Sequence, residues 1–111
     1  MRIIDLGLSA AHPVDEWQSR DAAVAPVVNT SGRGHVDCMR LGPGGVLGRH
    51  PTGIAQLFCV VAGEGEVSGS DGMVVSIRAG QAALWEAGEV HETMTATGLT
   101  AIIVQAEAIH E

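Results

Sequence analysis

The chain has 111 residues, of which 46% are hydrophobic and 17% charged, which suits one globular domain and excludes a disordered tail. Its net charge is -7, and its basic residues are six scattered arginines, so a nucleic acid is not an expected partner. No apolar run approaches the ~20 residues that span a bilayer, and the opening Met-Arg-Ile-Ile-Asp lacks the apolar segment of a secretion signal, so a cytoplasmic protein without a membrane partner is expected.

Short apolar runs separated by glycine-rich turns predict an all-β chain. A first strand is expected over Arg2–Leu6. Residues 15–25 offer a weak helical pattern that an irregular arm explains equally well, with Trp17 available to cover one end of the fold. A second strand, Val36–Leu41, stops at Gly42-Pro43-Gly44-Gly45, a strong turn signal. The run Gln56–Ala62 is nearly continuously apolar, as in a strand covered on both faces, and Gly63-Glu64-Gly65 is expected to break it. Glu66–Gly69 and Met73–Ile77 flank Ser70-Asp71-Gly72, in which Asp-Gly is a hairpin signal. Ala82–Trp85, His91–Thr95 and Leu99–Gln105 complete the set.

Alternation along a strand sends successive side chains to opposite faces. Gln56, Phe58 and Val60 therefore share one face, and Leu57, Cys59 and Val61 the other. His91, Thr93 and Thr95 share a face away from Glu92 and Met94. A polar residue heading an otherwise apolar face fits a small barrel with a ligand cavity. Cys38 and Cys59 read as buried free thiols. The serines show no nucleophile-elbow pattern, and Gly42–Gly48 lacks the lysine and helix of a phosphate loop, so it reads as the turn presenting His50.

Two spaced motifs then stand out. Gly44 is followed after five residues by His50, then Thr52, then Gln56, and six residues later by Gly63. Gly80 is followed after five residues by Glu86-Ala87-Gly88, then His91, then Thr95. In this order and register the chain resembles a small, bacterial-type single-domain cupin, with motifs over about 36–105 and residues 1–35 as an N-terminal strand and arm. The resemblance implies a β-barrel of two facing antiparallel sheets, a small-molecule ligand inside it and pairing into a homodimer, to which Leu57, Cys59 and Val61 would contribute. It also implies a divalent metal (Fe, Mn, Ni, Cu or Zn) on three histidines and a glutamate. Here those positions are His50, Thr52, Gln56 and His91, so one imidazole is a hydroxyl and the carboxylate is an amide.

The candidate metal ligands are accordingly His50, Gln56 and His91, an uncharged set expected to bind an ion more weakly than a complete one. Each residue also has a plainer reading. His50 is then a loop histidine beside Pro51, His91 a buried ring with a partner for each nitrogen, and Gln56 a lining amide bonded to His50. Thr52 supports its loop, Glu86, Glu89 and Glu92 are solvated turn carboxylates, and His12, His35 and His110 are surface or turn residues with no partner at metal spacing. The resemblance admits metal-assisted dioxygenation, isomerisation or lyase chemistry on a small organic molecule. It admits equally a non-catalytic metabolite-binding or sensor protein without a stable metal.

Overall fold

The computed structural model describes residues 1–7 and 10–111; Leu8 and Ser9 lie outside the description. Ten strands follow in order: β1 (Arg2–Asp5), β2 (His12–Pro13), β3 (Ala23–Val24), β4 (Asn29–Leu41), β5 (Val46–Pro51), β6 (Ala55–Ser68), β7 (Val74–Arg78), β8 (Gln81–Trp85), β9 (Val90–Met94) and β10 (Leu99–His110). All pairings are antiparallel. One sheet runs β1-β8-β6-β10-β4, and the other is built from β5, β9, β6 and β7. Together they form a cupin-type jelly roll of two facing sheets.

β6 belongs to both sheets. Gln56–Cys59 pair with β8, whereas Glu64–Ser68 pair with β7. Gly63-Glu64-Gly65 therefore bends the strand rather than ending it. The bend rests on Gly63, whose φ is +78° and whose missing Cβ would meet the Gly98 carbonyl oxygen on β10's leading turn. Only glycine satisfies both demands without strain.

The inner faces supply the core: Phe58, Val60, Val67, Ile77, Ala83, Trp85, Leu99, Ala101 and Ile103, with Met1, Ile3, Met39 and Leu41 packed against it. Phe58 meets Trp85 edge to face, with ring centroids 5.9 Å apart. The predicted alternation holds on β6, where Phe58 and Val60 are buried inward and Val61 is 52% exposed.

Residues 15–25 form no α-helix. The arm between β1 and β4 holds a 3-10 turn at Glu16–Gln18 and the small β2–β3 ladder. Trp17 is 83% exposed and covers nothing. β4 and β10 run longer than predicted and pair from Leu99↔Leu41 to His110↔Asn29. This ribbon and the arm explain a radius of gyration of 14.9 Å, above the roughly 13 Å of a compact chain this long.

Cys38 and Cys59 are both free, but Cys38 is exposed and Cys59 only half-buried. Both register with Ile102, one on each side of it, which separates their Cα atoms by about two strand spacings, roughly 10 Å, beyond disulfide reach. No helix among the described residues is long and apolar enough to cross a membrane.

Gly63→Ala should place a methyl group against a backbone oxygen in a left-handed conformation. A loss of about 2 kcal/mol or more is expected in urea unfolding, because backbone on both sides prevents relaxation.

Candidate functional site

The segment read as a loop before Pro51 is strand β5, and its irregularity decides the site. Val46 pairs with Met94 and Leu47 with Thr93, but the next pair is His50↔His91. Two residues, Gly48 and Arg49, thus oppose the single Glu92, a β-bulge. Without the extra residue, strict alternation would set Arg49 inward opposite His91 and turn His50 to the outside. The bulge reverses that choice. Arg49 turns away, and its guanidinium donates to the carbonyl oxygens of Gly69 (3.1 Å) and Ser70 (3.4 Å).

The two imidazoles, 41 positions apart in sequence, meet with Nε2 atoms 3.2 Å apart and ring centroids 4.5 Å apart. His50 is exposed at the barrel mouth, whereas His91 is 2% exposed. The opposite nitrogen of His50, Nδ1, lies 2.6 Å from the Gly48 carbonyl oxygen. A carbonyl only accepts, so this Nδ1 carries the proton and Nε2 presents a lone pair. In the neutral pair His91 then donates its Nε2 proton to His50.

Behind His91 stands Trp85, with ring centroids 4.4 Å apart and planes tilted by 76°. Two buried nitrogens here lack protein partners, Trp85 Nε1 and His91 Nδ1. In the tautomer just assigned they are one donor and one acceptor, and a single bridging oxygen would satisfy both.

His91 is held neutral at pH 7, its pKa pushed down to about 4, first by burial, then by the neighbouring His50, against an opposing pull from Glu89. Glu89 is not the solvated carboxylate that the sequence suggests. It accepts from the Met1 amino group at 2.7 Å and from the backbone N–H of Glu86 (3.1 Å) and Ser70 (3.4 Å). Burial raises its pKa, but these donors outweigh it and leave it lowered.

Gln56 is 7% exposed and sits inward, opposite Trp85 on β8 and Gln105 on β10. It does not bond to His50, whose nitrogens are engaged with Gly48 and His91. Thr52 is buried, and its hydroxyl donates to the Ile54 carbonyl oxygen at 2.7 Å, so it supports its turn. His12 and His110 are exposed strand residues. His35 is likewise an exposed residue. It lies within β4, with Nε2 3.3 Å from Asp37 Oδ2.

The 3.2 Å separation agrees with the roughly 3.0–3.4 Å expected of two imidazoles sharing one ion at about 2.1 Å from each. The rest agrees poorly. Among the described residues no group of three His, Cys, Asp or Glu side chains could hold an ion. With an ion on both Nε2 atoms, His91 Nδ1 and Trp85 Nε1 would both be buried donors, and no protein atom accepts from either. The residues present do not fit a resident cation.

Two facing antiparallel sheets that share one bent strand and bring two histidines together define a jelly-roll fold. The chain belongs to the cupin family: the Cupin domain family matches residues 38–104. Among solved structures it is similar to a predicted oxalate decarboxylase from Thermotoga maritima (28% identity, 62% of each chain, TM-score 0.57). It is also similar to an uncharacterized protein with a double-stranded β-helix domain from Klebsiella pneumoniae (24% identity, 77% of this chain and 82% of that one, TM-score 0.62). A third is an RmlC-like cupin from Shewanella frigidimarina (21% identity, 68% and 67%, TM-score 0.63). The chain spans about three fifths of the length of the Thermotoga protein. No curated protein matches.

The depressed pKa of His91 carries a stability signature. As pH falls below about 6.5 the unfolded chain takes up the proton first, so stability is lost down to about pH 4, on the order of 3 kcal/mol in all. Urea unfolding across this window should show that slope, and His91→Gln should remove its share of it.

Proposed function

We propose that this cupin binds a small organic molecule at the barrel mouth, against His50, His91 and Gln56, and does so without a resident metal. The observation that carries the reading is the convergence of two imidazoles, Nε2 atoms 3.2 Å apart, one ring exposed and the other buried against Trp85. The uncharged donor set and the buried nitrogens behind His91 support metal-independent binding. On this reading residues 1–111 form one cytoplasmic cupin domain, and its free thiols suit a reducing compartment.

A second reading is favoured by the imidazole spacing alone. Here His50, His91 and Gln56 are an altered divalent-metal site that gains an ion (Fe, Mn, Ni, Cu or Zn) only together with a ligand supplying the missing charge. Metal-assisted turnover of a small substrate, such as the decarboxylation named for the Thermotoga relative, belongs to this reading.

We further propose a homodimer through the outer face of the β1-β8-β6-β10-β4 sheet. Leu57 is already 3% exposed within its own chain, so the contact would centre on exposed Val36, Cys38 and Val61.

Protein purified without chelator is expected to carry well under one equivalent of metal. A ligand found by thermal-shift screening of small metabolites should lose at least about tenfold in affinity in His50→Ala, while stability changes by under about 1 kcal/mol because that ring is exposed. Stoichiometric metal released by both His50→Ala and His91→Gln would overturn the first reading in favour of the second.

A further inference from the structure

β4 is the edge strand of the sheet opposite β5, the strand that carries His50. Its register with β10, and of β10 with β6, fixes which of its side chains take the inner face. His35 pairs with Gln105, which pairs with Gln56. Asp37 pairs with Ile103, which pairs with Phe58, a core residue 1% exposed. Residues directly opposite on neighbouring strands share a face. Asp37 and His35 therefore stand on the inner face, and their 3.3 Å contact agrees with this.

Asp37 and His50 lie at equal sequence distances from the turn that joins their strands. β4 and β5 leave the same Gly42–Gly45 turn, in which Gly45 N–H donates to the Gly42 carbonyl oxygen. Asp37 lies five residues before Gly42, and His50 five after Gly45. The two strands belong to facing sheets, whose backbones pack about 10 Å apart. Both side chains of the His35–Asp37 pair are more than half exposed, so the carboxylate is open to a ligand.

Several other charged side chains are held by bonds of their own. Glu107 lies over Gly32 at the β4–β10 bulge and makes no ion pair with Arg33. Glu89 is bonded to Met1, Ser70 and Glu86, and Arg49 is turned to Gly69 and Ser70. Arg40 registers with Thr100 on the outer face, and Arg2 pairs with Glu111.

Resting on the reading of the mouth as a small-molecule site, we propose that Asp37, steadied by His35, is its specificity-determining residue. It selects a ligand that offers a hydrogen-bond donor and carries no net negative charge. An inward charge on an edge strand also guards against edge-to-edge pairing, and that role predicts a different outcome.

The test uses three two-carbon probes of one size and different charge: ethanolamine, ethylene glycol and glycolate. Each is titrated at fixed ionic strength while the imidazole signals of His50 and His91 are followed by NMR. Wild type should bind ethanolamine best and glycolate worst, with about a tenfold span for a two-charge difference acting across several ångströms of partly wet cavity. Asp37→Asn should flatten the series, and His35→Ala should flatten it partly. Equal binding of the three probes by wild type, or an unchanged order in Asp37→Asn, would overturn the assignment of Asp37. New self-association of Asp37→Asn with the order intact would assign it to edge protection instead. If no probe moves either imidazole in wild type, the small-molecule site itself falls, and this inference with it.

Discussion

One extra residue in β5 decides what enters the barrel. The Gly48–Arg49 bulge moves the strand by half a repeat, so an imidazole replaces a guanidinium opposite His91. Everything local to the site follows from that shift. Gly48 offers its carbonyl oxygen to His50 only because the bulge curls the backbone back, and Arg49 reaches Gly69 and Ser70 only because it is turned out. Deeper positions, Val46 and Leu47, keep ordinary register, so the core beneath is undisturbed.

The interior divides along its height. Below, β6, β8 and β10 contribute an apolar wall of Phe58, Val60, Ala83, Ala101 and Ile103. Above, one row across the same sheet is Trp85, Gln56, Gln105 and His35. Burial sets the state of each polar group in this upper layer. His91, against Trp85, cannot keep a proton at neutral pH, whereas His50 meets solvent. The outcome is an upper layer of indole, amide and imidazole groups above an apolar wall.

Much of this was legible in the residues. Alternation over Gln56–Val61 fixed the inward face of β6, and the paired glycine–histidine spacings indicated the family and brought His50 and His91 together. What the sequence concealed were events that break a simple repeat. The β5 bulge is such an event, because a glycine and an arginine in a turn-rich stretch do not announce a strand. Gly63-Glu64-Gly65 looked like a stop, since glycine weakens strands, yet cross-strand crowding at Gly98 makes it a bend. His35 and Asp37 were overlooked for a third reason. Strand polarity shows that two residues share a face, but only the register with β10 shows which face is the inside. Cys38 and Trp17 were misplaced because apolar character alone does not say whether another element lies over a side chain.

The two tryptophans occupy opposite environments, and the chain has no tyrosine. Trp17 is bathed in solvent, while Trp85 is sealed against an imidazole. The molecule thus carries its own optical gauge. Iodide will silence the outer indole by collision, leaving a blue-shifted emission from the inner one. That remaining light comes from the indole packed against His91, so a change at the histidine pair can be followed without any label.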